Sequence, residues 1–243
     1  MTNRTDHQGW LAAQTEEDRV KQDAFMNKIA DKLGRARITA KPEHPFRGAP
    51  DFWRTYEWTL EERVERFTSN FLTGGGHVAR LADWAAVRQF VTEKAEETGA
   101  MHVIRQDQPE LEALGLEQEL TGTTVRVWNS DPEEDWRARA AESDIGIVVA
   151  DWAAAYTGTI TVLSSKEKGR SVSLLPTIFI AIIPIERLKT RLGEIMTLFD
   201  KADGEQLPAG IHFISGPSRS SDIENDLTIG VHGPGIVYAL IVG

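Results

Sequence analysis

The chain has 243 residues and no cysteine, which excludes disulfides, zinc–thiolate sites, cysteine-ligated iron–sulfur clusters and a cysteine nucleophile within it. Lys and Arg total 27 against 37 Asp and Glu, a net charge of −10. That balance speaks against a nucleic-acid or anionic-membrane binder, because phosphate contacts need clustered cations.

Near the start, Val20, Ala24, Phe25, Ile29 and Leu33 recur at helical spacing, and Gly34 supplies a stop. Pro42, Pro45, Gly48 and Pro50 follow within ten residues and cannot continue a helix. Residues 1–50 therefore read as a helical arm with a linker, ahead of a domain over residues 51–243. The segment from Met1 to Gln14 is polar and lacks the apolar core of a signal peptide. No apolar run approaches the roughly 20 residues that a bilayer requires. The expected location is cytoplasmic, without membrane insertion.

Thr59 and Glu62 have capping-box spacing and open a helix with the apolar stripe Leu60, Val64, Phe67 and Phe71. It ends at Gly74-Gly75-Gly76. Strands and helices then alternate. Residues 77–82 read as a strand, 83–95 as a helix capped by Asp83, 101–104 as a strand and 110–116 as a short helix. A strand around Val125 and Val127 precedes a helix expected to open at Asp131-Pro132. Residues 145–150, 159–163 and 177–183 read as strands. The last of these is almost wholly apolar, as expected of a strand buried on both faces. Ile185, Leu188, Leu192, Ile195 and Phe199 predict an amphipathic helix. Residues 211–215 read as a strand, 221–226 as a short helix and 236–242 as the final strand. The alternation predicts an α/β fold with a mostly parallel sheet and helices on both faces.

Three loop segments are candidates for chemistry. The first, Gly216-Pro217-Ser218-Arg219-Ser220-Ser221-Asp222-Ile223-Glu224, follows a predicted strand and enters a predicted helix. Such a position beyond a strand suits an anion, with Arg219 adding charge. Ser221 and Glu224 also have capping-box spacing, so a purely structural turn explains them equally well. The second, Gly230-Val231-His232-Gly233-Pro234-Gly235, places His232 in a rigid loop, where it could hold an anion or move a proton. A hydrogen-bonded surface histidine is the plain alternative. The third is Thr157-Gly158-Thr159, whose hydroxyls could line a pocket, with Arg170 at the end of a Lys/Arg-rich turn. The six histidines are scattered without metal-ligand spacing, and neither HExxH nor GxSxG occurs.

The run from Lys168 to Pro176, Gly216-Pro217-Ser218 with Ser221-Asp222-Ile223-Glu224, and Gly230-Val231-His232-Gly233-Pro234 together resemble the lactate-utilization (LUD) domain family. The segment from Phe25 to Arg37 also resembles the start of its members, so the similarity spans most of the chain. The resemblance implies a three-layer α/β/α domain similar to the sugar-isomerase, CoA-transferase and formyltetrahydrofolate cyclo-ligase group. It implies a part in the oxidation of L-lactate to pyruvate beside iron–sulfur partner proteins. The clusters are then expected in those partners only, with no cofactor in this chain. Family members often carry Glu before the Ser/Thr-Gly-Thr turn. Here Tyr156 stands there, so a carboxylate nucleophile is missing. Two other roles stay open. One is a stand-alone enzyme acting on a carboxylate- or phosphate-bearing small molecule between Ser218, His232 and Arg170. The other is a regulatory or assembly module.

Overall fold

The computed structural model describes residues 4–40, 57–200, 207–221 and 227–243. They belong to two units, Met1–Thr55 and Tyr56–Gly243. The predicted linker at residues 41–50 and the candidates Asp222 and Glu224 lie outside the described residues.

The first unit carries α1 (Arg4–Lys32). It ends as predicted at Gly34, where the Arg35 N–H reaches back to the Ala30 carbonyl at 3.1 Å. Arg37 then folds onto the helix and pairs with Asp23 at 2.7 Å. The apolar positions Trp10, Val20, Phe25 and Leu33 are exposed.

The second unit opens with α2 (Leu60–Thr73). Its capping box forms as the spacing predicts: Thr59 N–H donates to Glu62 at 2.8 Å, and Glu62 N–H donates to the Thr59 hydroxyl at 3.4 Å. Then come β1 (His77–Leu81), α3 (Trp84–Thr98), β2 (His102–Arg105), α4 (Pro109–Glu112), α5 (Leu116–Glu119) and β3 (Thr124–Val127). After α6 (Trp136–Ala141) follow β4 (Ile145–Val149), β5 (Trp152–Ala154), β6 (Thr159–Ser164), α7 (Ser171–Leu174) and β7 (Ile178–Pro184). The chain closes with β8 (Leu188–Lys189), α8 (Leu192–Met196), β9 (Gly210–Ile214), β10 (Arg219–Ser221), β11 (Leu227–Ile229) and β12 (Ile236–Val242).

Six strands form a wholly parallel sheet in the order β1-β12-β7-β4-β2-β3. The two-residue period of a strand sends alternate side chains to opposite faces. Ile145, Ile147, Ile178 and Ile180 meet Val87, Leu111 and Leu116 of α3, α4 and α5. Val148, Phe179, Ala181 and Ile183 meet Phe67 and Phe71 of α2 and Val172 of α7. This is the double-sided burial expected of β7, every residue of which is buried.

The second face also carries a sheet that the alternation did not predict. β5, β6, β8 and β9 form it in the order β8-β5-β6-β9. The strands expected at residues 159–163 and 211–215 are present, but they pair antiparallel with each other, so that Thr161 faces Phe213. Ile160 and Val162 bury their inner side against the parallel sheet.

The helix expected over residues 185–199 is broken. Only α8 survives, preceded by a 3-10 turn at Ile185–Arg187 and by β8. Leu188 aligns with Ala153 of β5, and the Ala155 and Tyr156 N–H groups donate to the Lys189 and Thr190 carbonyls at 2.9 Å. Edge pairing thus overrides local periodicity. The helix expected at Asp131 starts instead at Asp135, whose carboxylate accepts from Arg137 and Ala138 N–H at 3.1 Å; Asp131 caps only a turn, through Glu133 N–H.

Candidate functional site

Arg219–Ser221 is strand β10, paired antiparallel with β11, so that Ser221 faces Leu227; the rest of the expected helix, residues 222–226, lies outside the described residues. The Gly216 segment follows the carboxyl end of β9. That strand belongs to the four-stranded sheet, and relative to the parallel sheet the loop lies at the opposite, amino end.

Hydrogen bonds define that place. Ser218 N–H donates to the Pro234 carbonyl at 2.9 Å, and Gly230 N–H donates to the Ser218 carbonyl at 3.0 Å. Ser218 Oγ accepts the His232 N–H at 3.3 Å. Gly235 and Ile236 N–H donate to the Thr177 carbonyl, just before β7. The Ser218 and His232 loops therefore converge at the starts of β7 and β12, and a Cβ on Gly233 would stand 3.3 Å from the Ser218 Cβ.

The Thr157-Gly158-Thr159 turn joins the same end. Thr159 Oγ1 lies 2.7 Å from Thr157 Oγ1 and 2.8 Å from Ser215 Oγ, linking three hydroxyls into a chain. Gly216, at φ 133°, follows Ser215 and is pressed against α2's end: a Cβ there would lie 2.7 Å from the Gly74 carbonyl oxygen. The Arg219 guanidinium packs over Gly75, where a Cβ would come within 2.4 Å of Nη2. The Asn70 amide of α2 donates to the Ala155 and Tyr156 carbonyls, both at 2.9 Å. With Thr159 donating to Thr157 and Ser215 to Thr159, Thr157 keeps a free hydroxyl proton, and it and Arg219 present donors at an exposed patch backed by Gly74 and Gly75. Such a set can hold a small anion.

Arg170 stands at the N-cap position of α7. It is exposed, and no hydrogen bond or ion pair among the described residues joins its side chain to Ser218 or His232. Its charge acts on His212 of β9: burial, then the Arg170 cation, pushes this imidazole below the ordinary histidine value. His212 Nε2 lies 2.6 Å from Ser164 Oγ.

A second polar region was not selected from the sequence. At the carboxyl ends of β2 and β4, a cleft of about 430 Å³ is lined by Asp107, Gln108, Glu110, Asp151, Lys168 and Arg187, with Pro109 and Trp152. Lys168 pairs with Asp151, and Arg187 pairs with Glu110 at 2.8 Å. Arg187 also donates to the Ala150 carbonyl at 2.9 Å. The buried Gln108 amide pairs with both the N–H and the carbonyl of Val149, at 2.9 and 3.1 Å. Burial raises the Glu110 carboxyl. Its own backbone N–H, the Arg187 guanidinium and the Lys168 ammonium outweigh that and hold it below the ordinary carboxylate value. The signal available in the sequence was the polar residues directly after the apolar strands. A larger hollow, about 530 Å³, runs along α3 between Asp83 and Glu93 and offers only a solvated helix face. Among the described residues no group of three or more His, Asp or Glu could hold a metal ion.

The LUD domain model matches residues 64–242. The chain belongs to the LUD-domain family. Among LUD-domain relatives, "Lactate utilization protein C" of Halalkalibacterium halodurans is 38% identical over 217 residues, covering 88% of this chain and 94% of its own. The protein of the same name from Bacillus subtilis is 33% identical over 221 residues, covering 88% and 92%. The crystal structure of a DUF162 family protein from Deinococcus radiodurans superposes with a TM-score of 0.56 at 18% identity, over 76% of this chain and 99% of its own. That likeness supports the α/β fold of the family. No described helix is long and apolar enough to cross a membrane.

Proposed function

We propose that this LUD-domain protein is a cytoplasmic accessory component of L-lactate catabolism, acting beside iron–sulfur proteins that oxidise L-lactate to pyruvate. The observation that carries this reading is its similarity, over nearly the whole length of the relatives, to proteins named for lactate utilization. With no cysteine among the 243 residues, thiolate-ligated clusters belong to the partners. This chain's own part is to bind a small anion at the patch formed by Thr157, Ser215, Ser218 and Arg219. A Ser218–His232–Arg170 enzyme site has less support, because no hydrogen bond among the described residues joins the His232 imidazole or the Arg170 guanidinium to Ser218 Oγ. Deleting the gene in a strain without a paralogue is expected to abolish growth on L-lactate while sparing growth on pyruvate. Unchanged growth on L-lactate overturns the reading.

A second role has its own observation. The exposed Trp10, Leu11, Phe25 and Leu33 of the first unit suit attachment to a partner. Removing residues 1–50 as one arm is then expected to abolish partner binding without unfolding the remainder.

A further inference from the structure

The course of the chain through the parallel sheet places a crevice between β2 and β4. These strands are neighbours in the sheet. From β2 the chain crosses to β3 through α4 and α5, whose Leu111 and Leu116 pack on one face. From β4 it crosses to β7 through β5, β6 and α7, whose Ala153, Ile160 and Val172 pack on the other. Adjacent strands whose connections leave to opposite faces form a topological switch point, and in open α/β sheets ligands enter the crevice outside the carboxyl ends there. The 430 Å³ cleft occupies this position, and its volume is within the usual range for small-molecule pockets.

Its lining states what it can hold. Lys168 uses one of its three ammonium donors on Asp151, and its side chain is 19% exposed. Arg187 is fixed by Glu110 and the Ala150 carbonyl, so its charge is held at the rim without rotamer freedom. Asp107 is exposed, and its backbone N–H is anchored on the Glu167 carbonyl at 3.0 Å. Its carboxylate enters no ion pair among the described residues. The spare donors are thus cationic, and of the three lining carboxylates Asp107 is the one without an ion pair among the described residues. A bare anion satisfies the cations but leaves Asp107 repelling it. A bare cation satisfies Asp107 but leaves the spare donors of Lys168 and Arg187, each already paired with a carboxylate, without an acceptor.

We infer that this cleft is a ligand site, separate from the Ser218 patch, for a small carboxylate bearing a hydrogen-bond donor on the adjacent carbon. The ligand carboxylate takes Lys168 and Arg187, and its hydroxyl or ammonium group donates to Asp107. Trp152 and Pro109 wall the apolar side.

Three near-isosteric probes test this on the full chain by calorimetry: L-lactate with a hydroxyl, L-alanine with an ammonium, and propionate with neither. Binding of L-lactate or L-alanine is expected, with propionate at least about tenfold weaker. Which of the two binds identifies the donor. Lys168→Gln and Asp107→Asn are each expected to weaken that binding about tenfold. Asp107 is exposed, so its variant remains informative if loss of the Lys168–Asp151 pair disturbs folding. Equal binding of propionate, undiminished binding in Asp107→Asn, or no binding of L-lactate and L-alanine overturns the inference. Binding lost in Ser218→Ala but kept in Asp107→Asn assigns the ligand to the other patch and also overturns it. The outcome is independent of the growth phenotype, so failure of either reading leaves the other standing on its own result.

Discussion

The Asn70 side-chain amide donates to the Tyr156 carbonyl at 2.9 Å across 86 residues of sequence. A second bond from the same nitrogen reaches the Ala155 carbonyl. Together they tie the last turns of α2 to the turn that carries Thr157 and Thr159. Asn70→Ala leaves one partly buried carbonyl, Ala155, and one exposed carbonyl, Tyr156, without this partner. A loss of about 1–2 kcal/mol is expected in urea unfolding, the usual size for a hydrogen-bonded amide that is not fully buried. An unchanged midpoint would show that water replaces the amide without cost.

Gly158 lies beside this bond at φ 57°, in the left-handed region. A Cβ there would come within 2.7 Å of the Phe71 nitrogen and 2.9 Å of the Asn70 carbonyl carbon. Both are backbone atoms of a packed helix and cannot rotate away. Gly158→Ala is therefore expected to cost more than the left-handed penalty alone, at least about 2 kcal/mol in the same assay. A cost below about 1 kcal/mol would contradict the close approach.

Arg105 is 4% exposed on β2, and Glu117 of α5 accepts from its Nε and Nη2 at 2.7 Å. Glu117→Ala strands a buried cation whose one other described bond goes to the Gln106 carbonyl. Loss of a buried partner costs roughly 3–5 kcal/mol, and the partial exposure of Glu117 reduces that to about 2–3. The double variant Arg105→Met with Glu117→Ala is expected to recover part of the loss, because the charge itself is then gone. Equal instability of the single and double variants would argue against this assignment.

His212 makes stability depend on pH. Its folded-state pKa lies below the unfolded value, so the unfolded chain binds the proton first as pH falls. The contribution is complete above the unfolded value of about 6.5 and shrinks as pH drops below it. Unfolding free energy measured between about pH 7.5 and 5 is expected to fall more steeply for the wild-type chain than for His212→Gln. Equal slopes would remove this assignment.

Much of the α/β plan was legible in local pattern. The caps at Thr59 and Asp83 and the stop at Gly34 appear where spacing placed them, because each depends on groups within a few residues. The apolar run that became β7 declared its double burial in composition alone. The candidate loops at Ser218 and His232 could be named from their glycines and prolines, but nothing local showed that they meet. Ser221 stands in β10 opposite Leu227, a pairing that local spacing does not reveal, while Glu224 lies outside the described residues.

The sequence by itself determined the absence of thiol chemistry, the alternating elements and the family motifs. Tertiary structure decided which sheet each strand joins and hence which polar residues share a site. Leu188 has helical spacing to Leu192 and Ile195, yet its alignment with Ala153 makes it a strand. Arg170 and Ser218 both belong to family-like motifs, yet the first acts on His212 and the second holds His232. The physical reason is the same in each case. Helical periodicity and capping are satisfied within a turn or two, whereas sheet pairing and switch points depend on partners tens of residues away.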